Sequence, residues 1–525
     1  MITAAAASGS ARVAAIRSFI RRRRRRPWYD WYSTGFAVVL AVILLWDLLA
    51  QPFGRLTGPG AVSGTGSAQA VAGAALVIGA AAGLLVLAQA LGPLALSPAD
   101  ATWLLLAPLD RRDVLRRPAA VTAAIAVAAG GVLGVLALAM AGPFLRLPAG
   151  AHRVPWAWLV LSAVGGAGFF AAAMLTGVLA QPWPRWRAGL RATGAAVGVG
   201  ATVGAVAGER WTVVSRAVTD RFAGPTTGSF GLIAVVAVAA ACTAALLVRR
   251  MLPRFPAEVV QTGSARTKTM LLAATFLNVP LLTWIAEDSH WRGRRLHSRP
   301  WPRLAPVAPR LRPAFVLAWA DWRRLGRRPA VLAALAVSAV APALAGAAFT
   351  GRAHGWVTAA AVLAGALAAG TQGTAAIRRD INDPTLRRLL GVDAGTALAA
   401  RAVLPALLSA AWLTIALALL ASTGELPGAL WPALGLAAGP AVAAAALRIA
   451  RTAPVNPADQ GPDTPLTAPP WLMTRAGSVL LGAAGAWPTL RAVYAGHVDA
   501  STFGVQVAVA AVVLGGYLML AVRSA

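Results

Sequence analysis

Residues able to do acid–base, nucleophilic or metal chemistry are few in this chain, and they are not gathered. The eighteen carboxylates are scattered, and none lies at the centre of a long apolar run; Asp47 comes nearest. Proton- and cation-coupled transporters place ionisable groups at membrane depth, so that class is disfavoured. The five histidines, His152, His290, His297, His354 and His497, have no metal-ligand spacing with one another or with a carboxylate. The single cysteine, Cys242, sits inside an apolar run, which excludes a disulfide framework and a cysteine metal site. Neither G-x-S-x-G nor H-E-x-x-H occurs. A phosphate-binding loop needs G-x-x-x-x-G-K-[ST], and the only lysine, Lys268, follows Thr267. The chain cannot hydrolyse ATP by that route. No catalytic residue, metal or cofactor is expected, and the chain is read as a non-enzyme.

The elements that must position any site are set by hydropathy. Of the 525 residues, 58% are apolar and 13% charged, about half the charged share of a soluble domain. Apolar runs of about 18 residues or more recur, and each reads as a membrane-spanning helix. The strand alternation of a membrane barrel is absent. The expectation is an all-α polytopic membrane protein with about 12 transmembrane helices. Spans are placed near 32–50, 68–94, 119–142, 156–180, 192–208 and 228–248. A second set falls near 330–350, 356–376, 402–422, 429–447, 476–490 and 502–522. The basic N-terminus leads into a full-length span with no signal-peptide cleavage site.

Four regions follow: a basic, amphipathic cytoplasmic segment over 1–31, a first six-span half over 32–248, a cytoplasmic connector over 249–329, and a second six-span half over 330–525. With both termini in the cytoplasm of a multi-pass cell-membrane protein, eight basic residues fall outside: Arg55, Arg146, Arg153, Arg210, Arg216, Arg221, Arg352 and Arg491. The other 40 of the 48 lie on the cytoplasmic side, the bias expected of such a protein. That placement accounts for the net charge of +30 without nucleic acid. Residues 270–286 are nearly long enough to span but carry Asn278 and Pro280 at their centre. They read as an interfacial or re-entrant helix.

Two kinds of charged cytoplasmic segment remain. The first precedes a first span: ARVAAIRSFIRRRRRRPWYDW and FVLAWADWRRLGRRP. Each mixes arginine with apolar residues, as a helix on an anionic leaflet does, and Phe315, Trp319 and Trp322 add an aromatic helical face. The second kind lies between spans two and three of each half. SPADATWLLLAPLDRRDVL opens it in the first half, and DPTLRRLLGVDAGTAL, residues 383–398, is its copy. Asp100 pairs with Asp383, Asp110 with Asp393 and Leu115 with Leu398; RAG at 187–189 pairs with RAG at 475–477, and the arginine-rich runs ending at Pro27 and Pro329 also correspond. The ordered matches point to two six-helix repeats, which share one orientation because six is even. Ser97, or Asn382 and Asp383, can start a short helix in each loop. Trp103 to Leu106 are too few to cross a bilayer, so that helix lies against headgroups, the protein's own surface or a soluble partner.

This arrangement resembles the permeases of ABC exporters of the ABC-2 (type V) class, of the two-half kind found beside ATPase genes in high-GC bacteria. The loop SPADATWLLLAPLDRRDVL is similar to their "D…LL..P..RR..L" loop. The resemblance implies a transmembrane subunit with cytoplasmic interface helices before each first span and coupling helices in loops 97–118 and 380–401. It implies an ABC ATPase (ATP-binding protein) as partner, membrane lipids around it, and no second permease chain because both halves are fused. Asp100, Leu105, Pro108, Asp110, Arg111, Arg112 and Leu115 are the implied contacts of the first loop. In the second, Asp383, Asp393 and Leu398 match, with Leu389 and Leu390; Gly391 replaces the proline and Ala394-Gly395 the arginine pair. Arg387 and Arg388, one turn earlier, are the substitutes. A membrane-embedded lipid- or glycan-processing enzyme and a non-transporting scaffold are the alternative readings. The first of these lacks any convergent acid, base or metal cluster. The transported substrate is not legible in spans of Ala, Val, Leu and Gly.

Overall fold

The computed structural model describes residues 67–140, 154–208, 227–264, 311–349, 352–452 and 468–523, apart from 93, 95, 97, 106, 108, 383, 384, 386–388, 390 and 425. The first expected span, the N-terminal basic segment and the 270–286 segment lie outside the described residues, as do Pro108, Asp383, Arg387 and Arg388. The described residues are helical, with no strand. Among the described residues nine helical segments are long and apolar enough to cross a membrane, one of them, Pro329–Ala348, in two pieces. The protein is an all-α polytopic membrane protein.

The chain divides into two compact units, Met1–Lys268 and Thr269–Ala525. In the first, α1 spans Ser67–Leu91, the short α2 Pro98–Trp103, α3 Arg111–Met140, α4 Trp156–Ala180, α5 Pro184–Gly208 and α6 Thr227–Met251. A 3-10 turn, Leu252–Arg254, then leads into α7 over 257–264. In the second unit, α8 (Arg312–Gly326) precedes the first span, which is broken into α9 (Pro329–Ser338) and α10 (Ala341–Ala348). Then come α11 (Arg352–Gln372), α12 (Ala375–Asn382), α13 (Ala394–Ser422), α14 (Trp431–Arg451), α15 (Ala468–Gly485), α16 (Trp487–Ala495) and α17 (Ala500–Arg523).

The same neighbours recur in each unit. Third span packs on fourth (α3 on α4, α13 on α14), fourth on sixth (α4 on α6, α14 on α17), and second on fifth (α1 on α5, α11 on α16). Close approach of third and fourth spans rests on small residues in both units, by different means. A Cβ on Gly130 would lie 2.5 Å from the Gly166 carbonyl, so α3 and α4 meet backbone to backbone. In the second unit the small residues are Gly435 and Gly439 on α14, set against Leu413, Thr414 and Ala410 of α13. The fifth position departs from a long apolar helix in both units. α5 opens with Arg185, Arg187 and Arg191 and is not among the nine long apolar segments, and α15 breaks from α16 at Ala486.

The register paired in the sequence has a structural counterpart. Asp110 and Asp393 each sit one residue before the third-span helix. The Asp110 carboxylate accepts from Arg112 N at 2.9 Å, and that of Asp393 from Thr396 N at 2.8 Å. Both cap free N–H groups of a first turn, which is why an aspartate stands there. Asp393 is held below the ordinary carboxylate range by the Thr396 hydrogen bonds.

Candidate functional site

The buried polar groups gather where the second span turns into the third, and each unit fastens this loop to itself. In the first unit the fastening holds no ion pair and rests mainly on neutral groups. Gln181, at the end of α4 and almost wholly buried, grips Leu94 from both sides. Its Oε1 accepts from Leu94 N at 3.1 Å, and its Nε2 donates to Leu94 O at 3.2 Å. Gly92, at φ 91°, turns the chain beside it; any Cβ there would come 2.9 Å from Gln181 Nε2. Further along, Ser264 Oγ accepts from Leu96 N at 2.8 Å and donates to Val260 O at 2.7 Å. Gln261 Nε2 reaches the Ala101 carbonyl at 3.4 Å, and Arg111 Nη1 donates to Phe255 O at 2.9 Å. Residues 252–264 therefore cover the loop from the far end of the sixth span.

Beneath these bonds lies a core of Leu94, Leu104, Leu105, Leu115, Phe255 and Val260. The short apolar run of the loop thus packs on its own unit. Leu105 and Leu115, two of the residues implied as partner contacts, are buried there and present no surface. Asp100 is half-buried, and Asp110, Arg111 and Arg112 are exposed. Trp103, 76% exposed, projects from the end of α2 although it heads the same apolar run.

In the second unit the fastening is ionic. Arg401 lies two turns into α13, with its guanidinium buried, and it gathers two other elements. Its Nε and Nη2 donate to the two carboxylate oxygens of Asp380 on α12, at 3.0 and 3.2 Å. Its Nη1 donates to Asp321 Oδ1 on α8 at 2.5 Å and to the Leu317 carbonyl at 3.3 Å. One arginine thereby ties the helix before the first span to the loop after the second and to the start of the third. The forked geometry of guanidinium suits this bidentate role. Burial raises the Asp321 carboxyl to about 6 even against the pull of Arg401. Its Oδ2 has no hydrogen-bond partner, and it borders a cavity of about 20 Å³ with Arg324, Arg328 and Gln372. That volume suits one water molecule.

α8 reads as two faces. Leu317, Asp321 and Leu325, four residues apart, form the buried stripe. Phe315 and Trp322 point the other way and are exposed, with Trp319 half-buried between them and stacked on Phe315 at 6.2 Å. The aromatic face expected from the sequence is therefore distinct from the face that docks. Of the second loop's implied contacts, Asp393 is exposed and caps α13, while Leu398 is half-buried. Arg401, Asp321, Asp380 and Gln181 were not singled out by sequence reasoning. In the Asp110–Asp393 register, the position of Arg401 is taken in the first unit by Pro118, inside α3. Among the described residues no group of histidine, cysteine and carboxylate side chains could hold a metal ion.

Residues 65–457 match the family described as DUF6297, a family of unknown function. The chain belongs to that family. No curated protein and no solved structure matches it. The DUF6297 region contains both fastened loops, Gln181, the covering residues 252–264 and the whole Arg401 cluster, and it ends just past α14.

Proposed function

We propose that this DUF6297 member is the membrane-embedded permease subunit of an ATP-driven exporter, coupled to a separate ABC ATPase through the loops at 97–118 and 380–401. In this reading it lies in the cell membrane with both loops and both termini in the cytoplasm. The observation that carries it is the double fastening of the loops, above all Arg401 joining α8, α12 and α13. A loop that merely connected two spans would need no such bracing. A lever does, because a push on it must reach the spans before it is lost in local bending. ATP binding closes the partner dimer and draws the two docked loops together, and each loop carries its own bundle with it. The energy comes from the partner; this chain supplies lever and path. Phe315 and Trp322 rest on the leaflet while the opposite face of α8 stays bolted to the bundle.

The docking groups on the first loop are the exposed ones: Trp103, Asp110, Arg112, Arg116 and Arg117. The test is co-purification with the ABC ATPase that this reading pairs with it, comparing wild type with Arg112→Glu/Arg116→Glu. Arg111 is spared because it also holds the Phe255 carbonyl. Two reversed charges at a docking surface are expected to weaken capture by about tenfold or more. Equal capture by the doubly reversed chain, at matched expression, would remove the coupling assignment.

A further inference from the structure

The corner between the fourth and fifth helices carries a motif that the lever does not use. PWPRWRAG, residues 182–189, and PWLMTRAG, residues 470–477, share Pro, Trp, Arg, Ala and Gly at the same five positions. The first runs into α5 and the second lies in the opening turns of α15, so each marks the fifth helix of its unit. In the first unit the corner is rigid. Trp183 N donates to Ala180 O at 3.0 Å and Arg187 N to Trp183 O at 3.1 Å. Gln181 ties the corner to Leu94.

This rigid corner presents an amphipathic surface. Trp183 is 47% and Trp186 68% exposed, and Arg185 and Arg191 are exposed beside them. Arg187 is half-buried and engaged within the protein. From Trp156 to Gly208 there is no carboxylate, so neither α4 nor α5 balances this charge. Depth is set by the rest of the helix. Residues 192–208 carry no charge and, at 1.5 Å per residue, extend about 26 Å, close to the hydrocarbon thickness. Arg185 to Arg191 therefore fall at the headgroup level of one leaflet. Tryptophan favours that level, and guanidinium matches phosphate oxygens there.

We infer that this corner is a binding surface for anionic phospholipid headgroups. Arg185 and Arg191 donate to headgroup phosphates, and Trp183 and Trp186 sit at the glycerol level. The inference needs only the membrane setting and stands apart from the permease reading.

Native mass spectrometry of the full chain, titrated in detergent with phosphatidylglycerol or phosphatidylcholine, tests it. Arg185→Gln/Arg191→Gln should lower phosphatidylglycerol affinity by about tenfold or more and leave phosphatidylcholine binding unchanged. Arg185→Lys/Arg191→Lys should keep most of the affinity, and added salt should erase the difference. Equal phosphatidylglycerol affinity in wild type and the glutamine variant overturns the inference. So does a glutamine variant that keeps the lipid but loses an acidic protein partner, since the surface would then serve a protein. Loss of both lipids alike also counts against it, because it would report general damage rather than a headgroup surface.

Discussion

Replacing Arg401 with methionine removes the guanidinium while keeping much of its apolar stem. Asp321, 5% exposed, is then left without its counter-charge, and Asp380 loses two hydrogen bonds. Breaking a buried pair from one side costs about 3–5 kcal/mol. For a unit of this size that corresponds to a fall of about 6–20 °C in unfolding temperature. The cost should depend on pH in a direction that can be worked out. Asp321 has a folded pKa of about 6 against 3.8 in the unfolded chain, so between these values the folded state binds more protons. Stability from this group therefore rises as pH falls from about 6 towards 4, by about 3 kcal/mol at most. In the Arg401→Met variant the Asp321 carboxyl lacks its arginine and takes up a proton more readily still, so the penalty should be smaller at pH 5 than at pH 7.5. Asp321→Asn supplies the control. It keeps an oxygen for Arg401, carries no buried charge, and should be no less stable than wild type, with that pH dependence gone. The assay is thermal unfolding of the purified full chain at both pH values. A loss below about 1 kcal/mol for Arg401→Met, or the same loss at both pH values, refutes the reasoning.

Three further outcomes are expected. Gln181→Leu leaves Leu94 N and O buried without partners, at about 1–3 kcal/mol each, and hydrogen exchange over 92–110 should quicken while the α13 loop is unaffected. Gly130→Ala drives a methyl against the Gly166 carbonyl and the Phe170 side chain, costing about 1–3 kcal/mol in thermal unfolding, whereas Gly231→Ala, which meets nothing, should be neutral or better. Asp393→Ala removes the cap of α13 and costs about 1 kcal/mol, with Asp393→Asn close to wild type. Because the Asp393 carboxyl is held low, its contribution should persist at neutral pH and fade only as pH drops through the acid range.

Much of the fold was legible because hydropathy acts locally. The span expected at 156–180 is α4 residue for residue, and 502–522 lies inside α17. Starts at loops were read late: α3 and α13 begin at Arg111 and Ala394, eight residues before the apolar runs expected at 119 and 402. The charged first turns are helical because Asp110 and Asp393 cap them, a local cue the hydropathy ignores. The fifth span was placed at 192–208, while α5 starts at Pro184, since three arginines mask a continuous helix. The Arg401 cluster was not legible at all. Its members lie 21 and 80 residues apart in sequence, and each alone looks like a positive-inside arginine or an interfacial carboxylate. Gln181 gave even less warning, being one neutral side chain beside a proline.

Pro118 in the place of Arg401 makes the two halves non-interchangeable. A chain assembled from two copies of the first half would have no charged bolt, and one assembled from two copies of the second would have two. The native chain has one fastening without a carboxylate and one that answers to protons through Asp321, while burial shields the Arg401 pair from salt. A bath of moderate acidity thus reaches one loop and spares the other, so the two halves answer differently to protons despite their repeated plan.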